Sequence, residues 1–422
     1  RCSFLQSEVP NHQFLWVVFS LKFIASLGLY YIYTDMYPER MEADIFKYYD
    51  DSQYMFNALW EKPMDYIRLL IGYDIDNEYF FDQYYIHMNN WDRAYDSNIY
   101  NDSHTIIRIN AVIRLFSFGS YHVHSLFFCM FSMIGTIAIY KVVKQYFSKL
   151  KKTLLLFLFF LPSIFIWTSG VLKEGILILA LGVMLYAINK VLDNSKRKQA
   201  LVLVAVTLFL MLYIKFYVLV AFLPAMICFL VAHLTKMKKV LVYGVLLSLF
   251  GVVVLNAKHI PPHVDLVKIL ERKQSDFKRL AEWQHAGSEF ELTPIEPSFV
   301  GIVKVVPEGL LNCFIRPLLW NAKSSLYYPA IFENIIVLMF LIGIALALFN
   351  REIYFREDAK NLIWFCFVFT LLLFVIIGIT TPVTGSLIRY KVPALPFLVV
   401  GCLYFLQNSK KLNFIESKLP TF

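Results

Sequence analysis

Four short stretches carry residue types that could do chemistry. The first is Ala43-Asp44-Ile45-Phe46-Lys47-Tyr48-Tyr49-Asp50-Asp51-Ser52. Wound as a helix, it stacks Asp44, Tyr48 and Asp51 on one face, at spacings of four and three. Carboxylates held close together push one pKa up, which suits general-base work or metal binding. The same pattern also serves as an acidic, solvated loop start. The second stretch runs Leu161-Pro162-Ser163-Ile164-Phe165-Ile166-Trp167-Thr168-Ser169-Gly170-Val171-Leu172-Lys173-Glu174. It reads as a hairpin turn that ends in a Lys173–Glu174 ion pair, with Lys215 in a similar turn. Ionisable residues inside apolar runs are functional-site candidates, or else pairs that snorkel to the polar edge. The third is Phe314-Ile315-Arg316-Pro317-Leu318-Leu319-Trp320, where Arg316 could grip a phosphate bidentately or belong to an interfacial anchor belt. The fourth, Gly385-Ser386-Leu387-Ile388-Arg389-Tyr390-Lys391-Val392-Pro393-Ala394-Leu395-Pro396, sets Arg389 and Lys391 on the external side, against the positive-inside trend, where a lipid-linked phosphate would supply a counter-charge. Among the histidines, His87, His104, His122 and His124 read as interfacial residues. Five cysteines, Cys129, Cys228, Cys313, Cys366 and Cys402, lie in or beside apolar runs without metal-ligand spacing.

The elements that must position these residues follow from hydropathy. The chain is 58% hydrophobic and 17% charged, above the ~45–50% apolar content of soluble domains. Apolar runs predict spans near 14–34, 121–141, 153–169, 174–191, 200–214, 217–234, 240–257, 328–349, 362–380 and 391–407. The expected fold is an all-α polytopic membrane protein of about ten transmembrane helices, with charges at the helix ends. The first span, without a small-residue cleavage site, reads as a retained anchor.

Basic residues cluster at Lys141, Lys144, Lys149, Lys151 and Lys152; at Lys190, Lys196, Arg197 and Lys198; at Lys236, Lys238 and Lys239; at Arg351, Arg356 and Lys360; and at Lys410, Lys411 and Lys418. Ten helices put every cluster on one side, which the positive-inside rule makes cytoplasmic. The net charge of +9 is then a membrane signature, and nucleic acid is not an expected partner. Residues 1–422 read as a single membrane domain with two structured external loops. The loop over 35–118 is acidic and aromatic and includes Asp92, Asp96 and Asp102. The loop over 258–320 has a Pro261-Pro262 break, a charged helix around Val264–Glu282, and a re-entrant or interfacial segment over Gly301–Trp320.

Taken in order, these motifs resemble the GT-C type glycosyltransferases. Asp44-x-x-x-Tyr48 soon after the first helix looks like their first external loop. Arg389-Tyr390-x-x-Pro393-x-x-Pro396 is similar to the R-Y-x-x-P-x-x-P signature near their end. The Pro162–Glu174 and Arg316–Trp320 stretches add to the likeness. The resemblance implies a bacterial enzyme, in the inner (cytoplasmic) membrane, that moves a hexose or pentose from polyprenyl phosphate to a glycan or lipid acceptor at the periplasmic or extracellular face. By the same resemblance Asp44 is the catalytic carboxylate, with Asp50 or Asp51 in reserve. Arg389, Lys173, Arg316 and Lys215 hold the donor phosphate, and Tyr48, Tyr390, Glu174 and His104 position substrate. A paired Asp-Glu is frequent in the family, whereas Ala43-Asp44 stands here. A divalent cation, magnesium or manganese, is the one cofactor the resemblance leaves open.

The physical logic stands beside the name. A polyprenyl tail binds cheaply in an apolar groove, fixed cations stabilise a leaving phosphate, and a carboxylate deprotonates the acceptor hydroxyl. P-loop, G-x-G-x-x-G and G-x-S-x-G patterns are absent from the sequence, which argues against nucleotide-driven chemistry. Two readings compete. An O-antigen-type polymerase would use lipid-linked oligosaccharide, and a transporter or lipid-carrier flippase would carry charges at mid-membrane in broken helices.

Overall fold

A computed structural model describes residues 11–37, 39–91, 101–235, 237–259, 264–283, 287–322, 325–349 and 356–420. Asp92, Asp96, Lys236, Pro261, Pro262 and Arg351, and the side chains of Lys410 and Lys411, lie outside the described residues. The chain divides into two compact units, one of residues 1–139 and 165–216, the other of 140–164 and 217–422.

The first unit begins with α1 (His12–Met36), capped by the Asn11 side chain. Next come α2 (Asp44–Glu61), α3 (Pro63–Ile71), α4 (Glu78–Gln83) and α5 (Ser103–Ser117). Each boundary has a local cause. Asp44 opens α2 in its first turn, where the helix dipole favours a carboxylate. Pro63 begins α3 and Gly72, at φ 75°, ends it. Asn77 accepts the Phe80 N–H and starts α4. A turn through Gly119, at φ 84°, leads from α5 into α6 (Tyr121–Val143).

In chain order come two short helices, α7 (Lys151–Phe160), which belongs to the second unit, and α8 (Pro162–Trp167), which begins in it; α9 (Lys173–Leu192) and α10 (Arg197–Ile214) complete the first unit. Gly135 of α6 and Gly182 of α9 touch backbone to backbone, so that a Cβ on either would overlap the other helix. α5 packs on α2 through Arg114, which donates to Ser52 Oγ at 2.8 Å and to the Tyr49 carbonyl at 2.7 Å.

The second unit continues with α11 (Phe216–Leu234), α12 (Lys239–Asn256), α13 (Leu266–Trp283), α14 (Phe299–Ile315), α15 (Tyr328–Phe349), α16 (Glu357–Thr380), α17 (Thr384–Lys391), α18 (Leu395–Leu406) and α19 (Lys410–Lys418). Phe222, Phe365, Phe369 and Phe397 pack edge to face at its core. A second glycine crossing, Gly309 on Gly378, joins α14 to α16. Glu416 caps α7 by accepting the N–H groups of Lys152 and Thr153, each at 2.8 Å.

Among the described residues, eight helices are long and apolar enough to cross a membrane. Counting α17 and α18 as one span bent by 62° makes nine. The fold is thus all-α and polytopic. The span expected over 153–169 is instead α7 and α8, because Pro162 lacks the N–H that would continue α7. The expectation that charges sit at helix ends is also corrected. Lys22 lies mid-way along α1 and Glu333 lies inside α15, both enclosed. Gly301–Trp320 opens as a helix capped by Ser298, and it runs through Pro307 to Ile315.

Candidate functional site

In the first unit, α2 presents the Asp44 face beside the head of α9. The Asp44 side chain is 35% exposed and pairs with Lys47 at 3.4 Å. Tyr48, one turn on, lies under the Lys173 ammonium, which is 4.8 Å from its ring centroid. Lys173 forms its ion pair with Asp102 at 2.8 Å, and Glu174 pairs with Lys215 at 2.9 Å. The Lys173–Glu174 pair read from the sequence is therefore corrected. Neighbouring residues on a helix point about 100° apart, so each finds its partner on another segment.

Asp51 and Asp50 have defined tasks of their own. Asp51 is fully enclosed, and its two carboxylate oxygens accept the backbone N–H groups of Asn89 and Asn90 at 2.9 and 2.8 Å. Burial pushes its pKa up to about 6 against the pull of those N–H groups. Asp50 receives a two-pronged grip from Arg40, at 2.8 and 3.0 Å.

The segment held by Asp51 extends the site. Asn101 donates to the carbonyls of Asn90 and Trp91 at 3.1 and 2.7 Å, which sets the neighbouring Asp102 against Lys173. His104 stacks on Trp91 at 4.0 Å, with Nε2 2.8 Å from the Trp91 carbonyl oxygen. His124 is buried between Asn110 and Ser117, His122 lies among Tyr30 and Tyr121, and His87 stacks on Tyr54. Among the described residues, no three His, Cys, Asp or Glu side chains come together to hold a metal ion.

The second unit holds the other cations. Arg316 lies 4.0 Å over the Phe290 ring and donates through Nε to Asn312 at 2.9 Å. Phe290 is brought there because its N–H bonds the Pro382 carbonyl at 2.8 Å. Burial lowers the Arg316 pKa. Lys391 is enclosed and donates to the Cys313 carbonyl at 3.0 Å, the Arg316 carbonyl at 3.2 Å and Asn334 Oδ1 at 2.9 Å. Arg389, two residues earlier on α17, is half-buried, and Tyr390 lies beside Tyr217 and Phe277.

The structure thus gathers Asp44, Tyr48, Lys173, Glu174 and Lys215 in one unit and Arg316, Arg389 and Tyr390 in the other. Sequence reading passed over Asp102, Asn101, Lys22 and Glu333 as site candidates. Glu333 accepts the Ser163 N–H at 2.7 Å from within its span. A single charge inside an apolar run was the available signal for it and for Lys22.

The fold defines an all-α polytopic membrane protein with ionic clusters at the heads of its helices. Residues 107–256 match the family model described as dolichyl-phosphate-mannose-protein mannosyltransferase, and this match supports a glycosyltransferase of GT-C type. The matched range holds Lys173, Glu174 and Lys215 and stops short of Asp44, Arg316 and Arg389. No curated protein and no solved structure matches the chain.

Proposed function

We propose that this chain transfers a single sugar, hexose or pentose, from a polyprenyl-phosphate donor to a cell-envelope glycan or lipid acceptor. The reaction takes place at the external face of a bacterial cytoplasmic membrane. The observation that carries the reading is the half-exposed Asp44 on the same helix face as Tyr48, which Lys173 covers at the head of α9. The name of the matched family, a dolichyl-phosphate-mannose transferase, supports a lipid-phosphate donor. The alternation of basic clusters supports the sidedness.

In this reaction Asp44 takes the proton from an acceptor hydroxyl as its oxygen attacks the anomeric carbon. The bond from that carbon to the phosphate oxygen breaks, and the electron pair leaves with the phosphate. Lys173 stabilises that charge within the first unit, helped by Lys215, and Arg389 and Arg316 are proposed as further phosphate-holding cations on their sequence motifs alone. Tyr48, Tyr390, Glu174 and His104 orient the reactants.

The test is transfer by purified protein from polyprenyl-phosphate sugars, run with and without a divalent cation. Turnover that disappears in Asp44→Asn supports the assignment. No turnover with any monosaccharide donor, together with chain growth on lipid-linked oligosaccharide, moves it to a polymerase.

A further inference from the structure

Lys22 is the eleventh residue of the 25-residue α1, so either end of the helix is about 15–20 Å away. A four-carbon stem cannot carry its ammonium to water from there, and a cation in that place is costly. Its side chain is enclosed. Nζ donates to Thr168 Oγ1 at 2.7 Å and to the Phe165 carbonyl at 3.4 Å. Among the described residues, both acceptors belong to one place, the last turn of α8 and the residue after it. The closing carbonyls of a helix lack intrahelical donors and favour a positive charge.

The turn that follows is short and dense. Cys129 donates to the Ser169 carbonyl at 3.4 Å, and the Leu172 N–H bonds the Gly170 carbonyl at 2.8 Å. Thr168 and Ser169 are fully enclosed. Lys173 and Glu174 come directly after it, at the start of α9.

We propose that Lys22 is a positioning residue that fixes the Thr168–Leu172 turn from the middle of the first span and so sets the place of Lys173 and Glu174. The link to donor binding rests on the reading of Lys173 given above. Removing the ammonium lets the turn loosen, and the Lys173 side chain loses its fixed approach while its charge remains. The expected effect is on donor affinity rather than on bond breaking.

The experiment uses full-length protein in lipid nanodiscs, with Lys22→Met, which keeps the stem, Thr168→Val, which removes the acceptor, and the double variant. Donor KM should rise about tenfold in each single variant with kcat nearly unchanged, and the double should be no worse than either. Amide exchange over residues 166–173 should quicken in all three. Unchanged donor KM, or additive effects in the double, overturns the proposal. If Lys22→Met does not fold, Thr168→Val alone decides it. If the wild-type protein transfers no sugar, the functional reading fails, and unchanged amide exchange in the variants would separately reject the role of Lys22.

Discussion

The Lys215 ammonium meets the Glu174 carboxylate at 2.9 Å, with only 4% and 0% of the two side chains exposed. Such a pair costs desolvation to build, and it is costlier to break by halves because one charge is left buried alone. Lys215→Met and Glu174→Gln are each expected to cost about 3–5 kcal/mol. The double variant should recover much of that loss. Thermal midpoints of the three variants in detergent close the cycle, and strict additivity would contradict the coupling.

Asp44→Asn is expected to lower sugar transfer by about 10²–10⁴-fold, the range for loss of a general base. Arg389→Ala should abolish transfer. Both should express at wild-type levels, since Asp44 is part-exposed and Arg389 half-buried. Retained activity in either variant removes that residue from the site.

Asp51 carries a pH signature. Its folded pKa of about 6 lies above the ordinary 3.8, so the folded protein binds this proton more tightly than the unfolded chain. Stability from this group is full at acid pH and falls as pH rises between about 4 and 6. A plot of thermal midpoint against pH should flatten over that window in Asp51→Asn. An unchanged slope would place the pH dependence elsewhere.

Lys391→Met leaves the Cys313 and Arg316 carbonyls and Asn334 Oδ1 without their shared donor. A charged donor lost to buried acceptors costs about 3 kcal/mol or more. The thermal midpoint should fall accordingly, and a variant as stable as wild type would show that those acceptors find other partners.

Much of the fold was legible in composition. The run read as 240–257 is α12, Lys239–Asn256, and the charged stretch around Val264–Glu282 is α13, Leu266–Trp283. The run over 153–169 misled because averaged hydropathy does not register what Pro162 does to a helix. Lys22 was overlooked for a related reason, since one lysine barely lowers the mean of an otherwise apolar helix. The site was harder to read. Residue type and spacing picked out Asp44, Tyr48 and Lys173 as candidates, and the structure brings Lys173 over the Tyr48 ring. The pairing of Lys173 with Asp102, and the Asn101 contacts that arrange it, join segments far apart in the chain and leave no local pattern.

The two glycine crossings bear on how this sequence can drift. Much of the surface of α10 and α12 is apolar and exposed, so Val202, Phe209, Val245 and Val252 can be exchanged for other apolar residues at little cost. Gly135, Gly182 and Gly378 have no such latitude, because every other residue brings at least a Cβ into a neighbouring backbone, and at Gly309 a Cβ would overlap the Ile379 side chain and crowd its backbone. Gly244 and Gly251, with open space around them, do not share that restriction. A library of random variants should therefore tolerate change at Gly244 and Gly251 while returning glycine at the four crossing positions.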